Sequence, residues 1–272
     1  MTGLDLEIVD RKLDRYMARK AEKGTMSHLL IDRFRFDSFV PEADADETSR
    51  LLTRFGDLVY IYFVITPPDA TVERAWKRGL RVGRYKAVDD LLYHNVEAFE
   101  GMPELFFTWA LSKTKRVHCE FLDNSVAEGS RPRTAAFGWN GEMNILDIGC
   151  MINMDRYKKI NINAGNARDV YVDDEMPPER NVDFLKKCVA LIPIVNFVDQ
   201  ATGRVYARIE NGQWCWRDEE QIAIVLEDPD VQAGLKAIGP LGCNAASAAQ
   251  RHSFKLDREK AHTLGAWGES DV

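Results

Sequence analysis

The sequence predicts an α/β fold, a parallel sheet with flanking helices, extended at its carboxyl end by a small α+β unit. Three observations predict it. An uncharged run of β-branched and aromatic residues, LVYIYFVI at Leu58–Ile65, is followed at once by Pro67, Pro68 and a helical pattern. Strand-like and helix-like segments alternate around that run, the order that produces parallel pairing through crossovers. Beyond residue 180, short strands separated by glycine-containing turns replace the alternation, which is the signature of a β-meander.

Composition bounds the function. With 272 residues, 45% of them hydrophobic, the chain can bury one substantial core. A net charge of −7 argues against a general nucleic-acid binder, which presents a broad basic surface. No apolar run approaches the ~20 residues of a membrane span, and the first residues lack the apolar core of a signal peptide, so the expected location is the cytoplasm. The cysteines, Cys119, Cys150, Cys188, Cys215 and Cys243, are odd in number and show no C-x-x-C spacing, which fits reduced thiols. His118 beside Cys119 does not make a catalytic pair, because neighbours on a strand face opposite sides.

Taken in order, residues 4–23 place Leu6, Val9, Leu13 and Tyr16 with Met17 at spacings of three and four, a helical stripe that ends at Gly24. Residues 27–32, SHLLID, read as a strand whose terminal Asp32 opens a loop. An aspartate there can hold a magnesium-bound water or accept a substrate hydroxyl proton; equally, it can cap the next turn or pair with Arg33 or Arg35. An acidic connection, 41–46, and a short helix, 47–55, lead into Leu58–Ile65. That strand is expected to be buried on both faces and to lie parallel to 27–32, since the spacing matches a βαβ unit. Pro67 and Pro68 cannot continue a ladder, whereas Asp69 or Thr71 can cap a helix starting near Ala70.

Along that helix Arg74 and Arg78 share one face at a spacing of four, and Arg81 and Arg84 follow where Gly79 and Gly83 loosen the backbone. Four guanidiniums are thus expected to converge near one strand end, in a lid spanning 74–86. Ligands bind outside the carboxyl ends of strands in open α/β sheets, and arginine forks match phosphate oxygens. The alternative is a solvated basic helix end. The buried-type strand before the run and the glycines within it favour a phosphate site.

After the lid, residues 88–99 and 102–111 read as two helices, the second beginning at Pro103, with Phe106, Phe107 and Trp109 as packing groups. Residues 117–122 form a strand closing with Asp123 and Asn124. Strands at 134–137 and 143–148 flank Asn140-Gly141, a hairpin expected to extend the sheet edge, and 155–162 adds a short helix. The polar stretch 165–180 marks a boundary, giving a domain at 1–164, an extension at 165–243 and a polar tail at 244–272. The extension contains a helix at 182–191, strands at 194–199, 204–210 and 214–216, and helices at 219–226 and 230–238. Trp214 and Trp216 are expected on one face, covering the meander or offering a stacking surface.

One pattern goes further than composition. An apolar strand, Pro, then Thr71, Arg74, Arg78, Gly79, Gly83 and Arg84 as Thr-x-x-Arg-x-x-x-Arg-Gly followed by Gly-Arg, resembles the lid region of zeta-toxin-type P-loop kinases. The resemblance covers residues 10–150. It implies a P-loop-kinase-like sheet lacking the P-loop strand, with ATP and magnesium as cofactors. The best-known members phosphorylate the sugar of a UDP-amino sugar. It casts Asp32, Arg78 and Arg84 in catalytic roles and Arg74, Arg78, Arg81 and Arg84 in phosphate binding. It also implies a partner, either an antitoxin or a chain bearing the missing P-loop.

The departure from that family is the motif itself. A P-loop kinase needs G-x-x-x-x-G-K-[ST], whose amides cradle phosphates and whose lysine reaches them. Neither Gly-Lys-Ser nor Gly-Lys-Thr occurs in the chain, and Gly234, Gly239 and Gly242 lie far downstream. Two functions therefore stand. One is a zeta-toxin-like phosphotransferase, or the P-loop-less part of one. The other is a non-catalytic protein that binds a phosphorylated ligand or a protein partner through the same arginines.

Overall fold

The computed structural model describes residues 3–25, 28–31, 58–225 and 227–238. Strands β1 (Leu58–Ile65), β2 (Arg116–Asp123), β3 (Arg133–Trp139), β4 (Glu142–Ile145), β5 (Ile194–Val198), β6 (Val205–Glu210) and β7 (Gln213–Arg217) lie side by side in chain order as one sheet. β1 pairs with β2 in parallel, as β4 does with β5, and every other neighbouring pair is antiparallel. The sheet is therefore mixed and not parallel throughout. Connection length explains this. β1 reaches β2 through two helices, whereas Asn211 (φ 49°) and Gly212 (φ 78°) take the positive φ that a two-residue hairpin turn demands.

The helices are α1 (Gly3–Glu22), α2 (Pro68–Val82), α3 (Val88–Ala110), α4 (Ile148–Arg156), α5 (Asp183–Leu191), α6 (Glu219–Val225) and α7 (Pro229–Ile238). Residues of α3, α4, α5 and α7 join one face of the sheet in a single apolar core. Its centre is aromatic: Phe63 stacks on Phe121 at 4.7 Å, and Phe106 meets Phe121 at 5.0 Å and Phe184 at 5.6 Å. The other face is polar. Tyr62, Glu120, Phe137, Asn144, Asn196 and Arg208 stand in register across six strands. Thr134 Oγ1 donates to buried Glu120 Oε1 at 2.6 Å and Asn196 Nδ2 to Asn144 Oδ1 at 3.0 Å, while Asn196 Oδ1 has no partner among the described residues.

Several expectations need correction. Of the predicted strand 27–32, residues 28–31 have no regular structure and Leu30 is 93% exposed; Asp32 lies outside the described residues, as do 41–46, 47–55 and 244–272. Among the described residues β1 lies at the sheet edge, and it is not buried on both faces. Leu58, Tyr60, Tyr62 and Val64 are 42% to 48% exposed, while Val59, Phe63 and Ile65 face the core. The hairpin at Asn140-Gly141 sits inside the sheet, because β4 finds a further neighbour in β5. The two helices expected at 88–99 and 102–111 are one, α3, with Pro103 inside it. The lost hydrogen bond is outweighed by burial of Phe99, Met102, Leu105 and Phe106 on either side.

The helix expected at 155–162 lies earlier, as α4, because the Asp147 side chain accepts from the Cys150 amide and starts it at Ile148. Three single 3-10 turns, Ala167–Asp169, Asp173–Glu175 and Pro178–Arg180, fill the polar stretch drawn as a boundary. That stretch lies in the crossover between β4 and β5, which pair within the same sheet. Trp214 stands opposite Ile209 and Trp216 opposite Arg208, with a register shift between the two pairs. Trp214 stacks on Phe197 at 5.7 Å. Among the described residues, no helix is long and apolar enough to cross a membrane.

Candidate functional site

The candidate site is built where β1 and β2 end. Parallel pairing brings Ile65 and Asp123 level, and two bonds lock the exits together. The Asn124 amide donates to the Ile65 carbonyl at 2.8 Å, and Asn124 Nδ2 donates to Thr66 Oγ1 at 2.9 Å. α2 begins immediately after, at Pro68, with Asp69 in its first turn and no side-chain cap from Asp69 or Thr71. It runs through Gly79 to Val82 and is stopped by Gly83 at φ 69°. Gly79 does not loosen the helix. A Cβ there would lie 2.5 Å from Tyr85 Cδ1, so the glycine admits the Tyr85 ring against the helix.

The four arginines divide into two pairs. Arg74 Nη2 donates to the carbonyls of Asn124 at 2.9 Å and Val126 at 2.7 Å, strapping α2 to the loop after β2. Arg81 Nη2 meets Glu128 Oε1 on the same loop at 3.2 Å. Lys77 adds a 2.7 Å pair with Glu73. Arg78 and Arg84 are exposed and have no hydrogen-bond or ion-pair partner among the described residues.

Near the ends of β1 and β2 lies an acidic and phenolic cluster of Asp69, Asp123, Tyr157 and Tyr171. Asp123 accepts from the Ser125 amide and hydroxyl, each at 2.9 Å, and is paired with Arg133. Burial pushes its carboxyl up, but the Ser125 bonds and Arg133 together more than offset this and hold it below the usual aspartate range. Tyr171 donates its hydroxyl to Asp69 Oδ1 at 2.6 Å. Burial first, then that bond, pushes the Tyr171 hydroxyl up, and burial does the same to Tyr157. Both phenols stay protonated donors at physiological pH. Tyr157, Tyr171, Asn153, Arg156 and Met176 line an open pocket beside the cluster.

Asp123 carried a sequence signal, an acid closing a parallel strand. Asp69 was legible only as a cap. Arg156 and Tyr157 fell in the helix expected at 155–162 and Tyr171 in the polar stretch 165–180, and neither pattern signalled a site.

Thiol chemistry finds no support. Cys119 faces the apolar core, where burial pushes its thiol up to about 12, while His118 on the other face meets Trp139 at 5.0 Å. Burial likewise raises Cys150 and Cys188. Among the described residues, no group of three or more His, Cys, Asp or Glu is arranged to hold a metal ion. No family model, curated protein or solved structure matches the chain.

Proposed function

We propose that the chain is the lid-bearing part of a zeta-toxin-like phosphotransferase, binding a phosphate-bearing ligand through Arg78 and Arg84 and performing no ATP chemistry by itself. The observation that carries this reading is the division of the arginines. Arg74 straps α2 to the loop after β2 and Arg81 meets Glu128 at the surface, whereas Arg78 on α2 and Arg84 just past its end have no partner among the described residues and keep their guanidinium forks available. ATP with magnesium does not fit the residues of this chain. It contains no Gly-Lys-[Ser/Thr], and among the described residues no three His, Cys, Asp or Glu side chains are grouped to hold a metal ion. Asp32 keeps its proposed role as acid only through the resemblance.

The unit β1, α2, α3, β2 supports a P-loop-kinase-like arrangement, because it is a parallel crossover with its arginines after the first strand's carboxyl end. The position of β1 at the edge of the sheet formed by the described residues favours a second reading. A P-loop-bearing chain could add a strand there and bring a phosphate-cradling turn beside the same carboxyl end.

Calorimetry with a nucleoside triphosphate and with inorganic pyrophosphate tests the first reading. Each charge-assisted contact contributes about 1.5 to 3 kcal/mol when shielded, so Arg78→Ala/Arg84→Ala should weaken binding by roughly two to four decades. The melting temperature should stay nearly unchanged. Absence of binding at millimolar concentration, or binding that survives the double change, removes the reading. A sensitive phosphate-release assay on the unmodified chain should detect no turnover.

A further inference from the structure

The pocket at the carboxyl end of α4 is built differently from the α2 arginines, and none of those arginines lines it. Two of its walls are rings: Tyr157 and Tyr171 stand 6.3 Å apart, tilted by 45°. Each is held from behind. Phe99 meets the Tyr157 ring edge-on at 5.1 Å, and Asp69 fixes the Tyr171 hydroxyl at 2.6 Å. Met176 adds a polarizable apolar surface.

The polar side is equally fixed. Arg156 is only 16% exposed, and three bonds orient its guanidinium. Nε donates to the Met176 carbonyl at 2.7 Å, and Nη1 donates to Asn153 Oδ1 at 3.3 Å and Asp230 Oδ2 at 3.1 Å. With Asn153 Oδ1 accepting from Arg156, its amide nitrogen is turned away as a donor. Among the described residues neither Asn153 Nδ2 nor Arg156 Nη2 has a partner. Both are donors and neither can accept, so whatever completes them brings acceptor oxygens. Asp230 already pairs with Arg156, so charge alone attracts an anion only weakly and the ring walls must supply the selectivity.

We propose that this pocket binds a flat ring bearing acceptor oxygens, as a carboxylate or as ring carbonyls. The ring lies against Tyr157 and Tyr171, and its oxygens accept from Asn153 Nδ2 and Arg156 Nη2. Pre-set donors lower the ordering cost of binding, which is why a pocket this open can select a ligand.

The test uses the full chain with 13C-methyl methionine, titrated with benzoate, benzamide and acetate and followed by NMR. The Met176 methyl should shift saturably with benzoate, while Met143 and Met151 in the core stay still. Benzamide matching benzoate identifies the recognised group as a carbonyl, and benzoate binding alone identifies a carboxylate; each supports the proposal. Acetate, lacking the ring, should bind at least about tenfold more weakly, a difference of about 1.4 kcal/mol. Arg156→Lys, which keeps the charge but not the fork, should lower benzoate affinity by about tenfold or more. Arg78→Ala/Arg84→Ala should leave it unchanged, so failure of the phosphate reading and failure of this one are separable. The proposal is overturned if neither benzoate nor benzamide moves Met176 at millimolar concentration. It is also overturned if acetate equals benzoate, or if a folded Arg156→Lys binds as the unmodified chain does.

Discussion

α2 and α4 both carry an arginine in their last turn, and they use it in opposite ways. α2 carries Arg74, Arg78 and Arg81, with Arg84 two residues past its end, and the four side chains have three different fates. Arg74 grips two carbonyls, Arg81 meets an exposed glutamate, and Arg78 and Arg84 have no partner among the described residues. α4 carries Arg156 in its last turn, held by a carbonyl, an amide and a carboxylate, with one edge left towards a pocket. Density of arginine draws the eye in a sequence. What an arginine can bind depends on how many of its five donors the fold has already engaged and whether the remainder are held still.

The largest test of that contrast is Arg74→Ala. Two charge-assisted bonds to carbonyls of the loop after β2 disappear, one at 2.7 Å, and the loss should be about 3 kcal/mol in chemical denaturation. A neutral outcome would mean that Arg74 does not hold α2 and that the four arginines are alike after all. Tyr171→Phe should follow, at about 1 to 1.5 kcal/mol, because the hydroxyl that Asp69 accepts from is lost while the ring is kept. An unchanged melting curve would show that the pocket wall is not fixed through Asp69.

Asp123 sharpens the comparison through pH. Its carboxyl is held below the ordinary aspartate value by Ser125 and Arg133 against the opposing effect of burial. A depressed folded pKa gives stability that is present above the unfolded value, near 3.9, and lost as pH falls through the folded value. The unmodified chain should therefore lose stability on acidification below about pH 4 more steeply than Asp123→Asn, read as melting temperature against pH. Parallel curves would show that the carboxylate contributes nothing specific. The smallest effect belongs to Arg81→Ala. Its pair with Glu128 joins two exposed side chains, and the change should stay within about 0.5 kcal/mol. A larger loss would place Arg81 with Arg74 as a strap.

By itself the sequence determined the local elements. The uncharged run at Leu58–Ile65 became β1, and Pro68 and Gly83 bracketed α2. The Asn140-Gly141 and Asn211-Gly212 turns set their hairpins, and the meander of β5, β6 and β7 appeared within a residue or two of its expected bounds. These follow from φ preferences, missing donors and alternation, which act over a few residues. Tertiary structure alone decided that the sheet is mixed, that β4 lies parallel to β5, that Pro103 sits inside a helix, and which arginines remain available. It also assembled the pocket. Tyr171 reaches Asp69 across 102 residues and Arg156 reaches Asp230 across 74. Such pairings are fixed by how the layers close on the shared core of Phe63, Phe106, Phe121 and Phe184, and no short-range pattern encodes where two distant side chains will then stand.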